Sequence, residues 1–247
     1  MRRRPDIAMT GVPEHTHVLR ELAVVVPIGP GDGAWRELLP QLAALPPEAR
    51  VVLVAAADRE LPARGDASCT ALRADLLLLT APCGRASQQN AGAREAERRF
   101  LWFVHADSRL HERTLMALAR SLERHPDALG YFDLHFDDGP LMVGLNAIGV
   151  FIRSRWLGLP FGDQGLFLSR VNFERLGGFD ATLDRGEDHA LVWAASRAGI
   201  ALVAARAPIY TSAREYAERG WLRTTARHVW LTAAQVWRES RRGNAAT

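Results

Sequence analysis

The sequence predicts an α/β fold with a mainly parallel central sheet flanked by helices. Three observations carry that expectation. Short apolar, largely β-branched or leucine-rich runs recur at 22–28, 51–54, 75–80 and 100–104. Segments with helical spacing separate several of these runs. Proline, glycine or acidic residues close them, as at Pro27, Gly29 and Asp107. Alternating strands and helices cover both faces of a parallel sheet. Ligands of such sheets sit beyond the carboxyl ends of the strands, so the polar residues just past each run are the ones that matter.

The first run, Leu-Ala-Val-Val-Val-Pro-Ile, reads as a buried strand. Residues 33–45 follow with Trp35, Leu38, Leu39, Leu42 and Leu45 at helical spacing, and Pro40 weakens the middle. Residues 85–99 read as a polar, alanine-bearing helix, and 111–124 as a helix with Leu115, Leu118, Ala119 and Leu122 on one side. The second half begins with a strand at 129–136. An amphipathic helix is expected at 141–156, with Leu141, Leu145, Ile148 and Ile152 on one face. A strand at 165–169, a short helix at 171–176 and a helix at 186–198 with Gly199 as its C-terminal stop follow. Two short strands are expected near 200–204 and 208–212, then a helix over 216–241. The expected organisation is a loose extension over 1–20, one main domain over 21–213 and a tryptophan- and arginine-rich tail over 214–247.

Composition excludes several classes. The chain has 247 residues, 48% hydrophobic and 24% charged, which is ordinary globular usage. The net charge of +3 is too small to imply a nucleic-acid partner. All 31 basic residues are arginine, and their excess belongs to the two ends of the chain. Two cysteines, Cys69 and Cys83, cannot make a disulfide scaffold and fit a reducing cytoplasm. No run reaches the ~18 apolar residues of a membrane span. Arg2, Arg3 and Arg4 resemble the start of a signal peptide, but Pro5, Asp6, Glu14, His15 and His17 stand where its apolar region belongs.

Four segments could carry chemistry. In Val104-His105-Ala106-Asp107 a hydrophobic strand delivers a carboxylate at its end. Burying that charge is costly, so it should face a cleft, where it could hold a divalent metal; the plain alternative is a helix cap. Gly84-Arg85-Ala86-Ser87-Gln88-Gln89-Asn90-Ala91-Gly92-Ala93 puts an arginine, three amides and two glycines after a strand, a pattern able to offer donors to phosphate or simply to start a polar helix. Gly186-Glu187-Asp188-His189 places two acids at a helix start, either as favourable dipole charges or as a general base. Gly162-Asp163-Gln164-Gly165 is a glycine-flanked acid–amide pair, or only a tight turn.

Taken in order, and extended by Leu176-Gly177-Gly178-Phe179-Asp180 and Thr211-Ser212-Ala213-Arg214, these segments resemble the family 2 glycosyltransferases of GT-A fold. The likeness spans about 21–230 and is greatest to a bacterial subgroup associated with arsenosugar biosynthesis. The resemblance implies a metal-dependent inverting transfer of a sugar from a nucleotide-diphospho-sugar donor to a hydroxyl acceptor. It implies that Asp107 coordinates Mg2+ or Mn2+, that Pro27, Asp58, Arg85, Asn90 and Asp107 line the donor site, and that Asp188 is the base with Glu187 beside it. Asp163, Gln164 and Arg214 fall on the acceptor side. Two departures stand out. Only Asp32 could replace the acid usual after the first strand, and Ala55-Ala56-Ala57 replaces the acids that usually grip the base and ribose.

Two other readings share these residues. A binding or regulatory protein could retain the GT-A fold without catalysis, as the alanines after the second strand suggest. Gly29-Pro30-Gly31-Asp32-Gly33-Ala34 also satisfies the G-x-G-x-x-A pattern of nicotinamide enzymes, although Pro27 and Pro30 disturb that turn. The tail interleaves Trp221, Trp230 and Trp237 with arginines, so 216–242 could lie on the inner face of an anionic membrane or dock on the domain.

Overall fold

The computed structural model describes residues 14–58, 61–63, 65–136, 150, 153–155, 158–183 and 185–211. An eight-stranded sheet has the order β3-β2-β1-β4-β7-β6-β8-β5. Its strands are β1 (Leu22–Ile28), β2 (Arg50–Ala56), β3 (Asp75–Ala81), β4 (Phe100–Phe103), β5 (Arg109–Leu110), β6 (Leu129–Phe136), β7 (Phe167–Ser169) and β8 (Leu202–Thr211). The block β3-β2-β1-β4 is parallel, as expected. β7 then runs antiparallel to both β4 and β6, while β6 and β8 are parallel. The helices are α1 (Trp35–Leu38), α2 (Ala67–Thr70), α3 (Arg85–Glu95), α4 (Thr114–Arg124), α5 (Arg170–Arg175) and α6 (Glu187–Arg197).

Strand periodicity divides the core between the two faces of the sheet. Leu22, Val24 and Val26 of β1 pack on one face with Trp35, Leu118 and Leu122. Ala23 and Val25 pack on the other with Val52, Val54 and the alanines of α3. All seven residues of β1 are buried, which makes it the centre of the parallel block. Each fully buried valine or leucine there contributes about 1.5–3 kcal/mol. α3 can lie close over β1 and β2 because residue 92 is glycine. A Cβ there would stand 2.5 Å from Val25 Cγ1 and 3.0 Å from Val54 Cγ2.

Several elements differ from their sequence expectations for visible reasons. The helix expected over 33–45 is a four-residue α-helix continued by a 3-10 turn at Leu39–Leu42, with Pro40 as the break. The loose extension expected over 1–20 holds a 3-10 helix at Glu14–Glu21 whose Leu19 is buried in the core. The two strands expected near 200–204 and 208–212 are one strand, β8. Its register against β6 slips between Ala204↔Tyr131 and Pro208↔Asp133, and Arg206 has φ of +55° within the bulge. The helices expected at 141–156 and 216–241 lie largely or wholly outside the described residues, as does Arg214.

β1 and β4 are neighbours, while the chain between them runs outward through β2 and β3. The loops after β1 and β4 therefore flank the point where the strand order reverses, the usual ligand crevice of such sheets.

Gly92→Ala tests the close packing of α3. Alanine gains about 1 kcal/mol of helix propensity over glycine. Overpacking a filled core costs about 1–3 kcal/mol. With valine side chains on two sides of the new methyl, the expected outcome is net destabilisation by about 1 kcal/mol, read as a lower urea midpoint at unchanged m-value.

Candidate active site

The candidate residues meet at the carboxyl ends of β1 and β4. After β1 the chain turns through Gly31, with φ of +71°, and the amide of Asp32 donates to Gly29 O at 3.1 Å. Asp32 Oδ1 accepts the amide of Ala34 at 2.9 Å, which opens α1. After β4 the amide of Val104 donates to Val25 O, and a turn closes from Ser108 N to His105 O at 3.1 Å. That turn presents Asp107. The helix-cap alternative for this carboxylate does not apply, because α4 starts at Thr114 and its cap position is Arg113.

α3 brings Arg85 to the same place. Its Nη1 lies 3.4 Å from Glu187 Oε1 at the start of α6, and half of the arginine side chain is exposed while Glu187 is buried. Two of the three amides of α3, Gln88 and Asn90, bond to the scaffold. Gln88 Nε2 donates to Ile28 O and Val54 O, at 2.8 and 2.7 Å, and so joins the ends of β1 and β2. Asn90 grips the main chain of Phe179 from both sides, donating to its carbonyl at 2.8 Å and accepting its amide at 2.9 Å. Gly178 fits against that clamp because it has no Cβ; one would stand 2.8 Å from Asn90 Oδ1.

The acid–amide segment is a 3-10 turn at Gly162–Gln164. Gln164 is wholly buried; its Nε2 donates to Phe132 O at 2.9 Å, and its Oε1 accepts the amide of Phe161. The Gly162 amide donates to Asp188 Oδ2 at 2.6 Å, and the other oxygen of Asp188 accepts the amide of His189. Glycine permits that approach, since a Cβ at 162 would lie 3.1 Å from Asp188 Oδ2 and 3.4 Å from His105 Nε2. Phe161 stacks against His189, with ring centroids 3.6 Å apart, and fixes the turn beside α6.

The electrostatics differ from group to group. Burial, Asp188 and the pull of Arg85 set Glu187, with a net rise above the usual carboxylate range. Burial raises Asp107, Asp32 adds to the rise, and Arg85 and Arg109 oppose it. Burial also lifts Asp163 to about 6, although Arg153 opposes the rise. Asp188 is the exception. Burial pushes it up, but His189, the amides of Gly162 and His189, and Arg85 together hold it below the usual range. Burial and Arg85 depress His105 to about 3, so its ring is neutral near pH 7. Among the described residues, His105 Nε2 and Asp163 Oδ1 have no hydrogen-bond partner.

Asp107, Asp163, Glu187, Asp188 and Arg85 are thus brought together. Pro27 is buried in β1 opposite Val54, and Asp58 is exposed just beyond β2. Sequence reasoning gave no role to His105, nor to Arg109, which donates to the carbonyls of Asp107 and Ser108. Only the position of Arg109 two residues after the carboxylate could have signalled it. Among the described residues no three His, Cys, Asp or Glu side chains converge as a metal cage. The donor set fits a different arrangement. Asp107 offers carboxylate oxygens at the crevice, and Mg2+ or Mn2+ is commonly held by one or two carboxylates with substrate phosphates and water.

No protein-family model and no curated protein matches the sequence. Solved structures do match. TarS from S. aureus superposes with a TM-score of 0.59 at 19% identity, over 77% of this chain and 36% of that one. Its 1-349 form in complex with UDP-GlcNAc gives 0.56 at 19% identity, over 77% and 58%. The mannosyltransferase PcManGT from Pyrobaculum calidifontis, in complex with GDP-Man and Mn2+, gives 0.54 at 19% identity, over 78% and 56%. The matched region spans between about a third and three fifths of those chains. The chain has the GT-A fold, a mixed and mostly parallel sheet flanked by helices.

Proposed function

We propose that this protein is a metal-dependent inverting glycosyltransferase of the family 2 type. It moves a sugar from a nucleotide-diphospho-sugar to a hydroxyl acceptor, in the manner of the bacterial arsenosugar-type enzymes it resembles in sequence. The observation that carries the reading is the convergence of Arg85, Asp107 and Asp188 at the strand-order reversal of a GT-A sheet. The UDP-GlcNAc and GDP-Man held by structural neighbours support a donor of that class.

Each residue then has a task. Asp188 is ionised at neutral pH, and two backbone amides orient it. It takes the proton of the acceptor hydroxyl while the acceptor oxygen forms its bond to the anomeric carbon from the face opposite the leaving group. The bond from that carbon to the diphosphate oxygen breaks, and its electron pair leaves with the nucleoside diphosphate. Arg85 faces the developing negative charge. A divalent cation held by Asp107 would supply further neutralisation of the diphosphate. Glu187 restrains Arg85, and Asn90 acts through Phe179. Pro27 and Asp58 border the donor side, and Asp163 with the anchored Gln164 borders the acceptor side.

Asp188→Asn removes the base, so kcat should fall by about 10²–10⁴-fold. It also leaves one of the two amides that Asp188 accepts without an acceptor, so the melting temperature should drop, by the equivalent of about 1–3 kcal/mol. Assays against a panel of nucleotide sugars and hydroxyl acceptors, with Mn2+ or EDTA, check this. Unchanged turnover in the variant would overturn the assignment of the base.

Asp163 predicts a pH dependence of stability. Its carboxyl binds a proton more tightly in the folded state, about 6 against 3.8. The folded protein therefore binds more protons than the unfolded chain between those values, and this group's contribution falls as pH rises through them. Asp163→Asn should gain stability relative to the unmodified protein from pH 4 to 6 and then level off, as read by urea midpoints at each pH. Parallel curves across that range would contradict the burial of Asp163.

A further inference from the structure

We propose that Arg109 is a positioning residue that presents Asp107 to the divalent cation of a bound diphosphate. The inference rests on the functional reading above and concerns a residue that reading does not use.

Arg109 opens β5, which pairs with β8 through Arg109↔Tyr210 and Leu110↔Ile209. Its guanidinium folds back over the loop it follows. Nη1 donates to Asp107 O at 3.3 Å and to Ser108 O at 3.2 Å. Nη2 pairs with Glu37 of α1. One turn further along, Gln41 Oε1 accepts the amide of Leu110 at 2.6 Å. The segment that follows β1 is thereby tied at two points to the segment that follows β4. These are the segments that carry Asp32 and Asp107.

The consequence for Asp107 is geometric. Its backbone cannot swing away while its own carbonyl and that of Ser108 are held. Arg85 pairs with Glu187, whereas the hydrogen bonds of Arg109 centre on the Asp107 loop. Arginine suits the task because its planar fork spans two carbonyls and a carboxylate together, which the point charge of lysine cannot do.

The test is Mn2+ affinity, followed by the EPR signal of free Mn2+ as protein is added in the presence of UDP and, separately, GDP. Arg109→Ala should weaken Mn2+ binding by about tenfold or more, the usual cost of removing a residue that orients a metal ligand. Arg109→Lys should fall between the two. Glu37→Gln should change the affinity by no more than about threefold, because exposed ion pairs contribute little. Thermal melts followed by circular dichroism show whether each variant folds. A folded Arg109→Ala protein with unaltered Mn2+ affinity overturns the proposal. If that variant fails to fold, Arg109→Lys decides in the same way. Absence of Mn2+ binding by the unmodified protein with both nucleotides contradicts the metal-dependent reading itself, and this inference with it.

Discussion

The site depends on how one arginine offsets a crowd of carboxylates. Arg85 acts electrostatically on His105, Asp107, Asp163, Glu187 and Asp188. Without a cation in their midst, four acids brought together by burial would be driven to take up protons. Arg85 keeps the cluster usable by favouring the ionised forms, and it adds to the burial that keeps His105 neutral. Because half of its side chain is exposed, the same guanidinium can face an incoming anion. The anionic donor we propose would add to the cluster's negative charge, which is the physical reason the proposal includes a cation at Asp107.

The scaffold explains how such a cluster stays in place. Gln88 fastens α3 to the ends of β1 and β2, and Asn90 fastens it to Phe179. Gly92 lets the helix settle on the sheet. Arg85 is the first residue of this triply anchored helix. On the other side, Gln164 locks the Gly162 turn to β6, and the turn locks Asp188. The low proton affinity of Asp188 follows from His189 beside it and from that lock, with the His189 amide and Arg85 adding to both. In the proposed reaction, Asp188, ionised at rest, would accept its proton only as the acceptor oxygen commits to bond formation, when the hydroxyl has become acidic.

Much of this was legible in the residue pattern. β1 and β6 have the limits read from the sequence; β1, buried at every position, leaves a continuous signal, while β6 ends in the alternation of a half-buried strand. Pro40 marked the break in α1. The bulge in β8 was legible only as a gap, since Ala205-Arg206-Ala207 has no turn chemistry beyond the φ that Arg206 adopts. The positions of Asp107 and Asp188 at element ends could be read directly. The work of Gln88 and Asn90 could not, because an amide offers the same donors to a phosphate as to a carbonyl, and only tertiary placement decides between them. Arg109 was hard to read for a related reason: the carbonyls it holds, those of Asp107 and Ser108, are groups every residue carries, and its partner Glu37 is brought close only by folding.

A crystal structure of the protein soaked with Mn2+ and UDP or GDP tests the central claim most directly. The account predicts an anomalous manganese peak within bonding distance of Asp107, with the diphosphate between it and Arg85 at the ends of β1 and β4. A nucleotide bound elsewhere on the sheet, or a diphosphate seated there without contact to either residue, would contradict it.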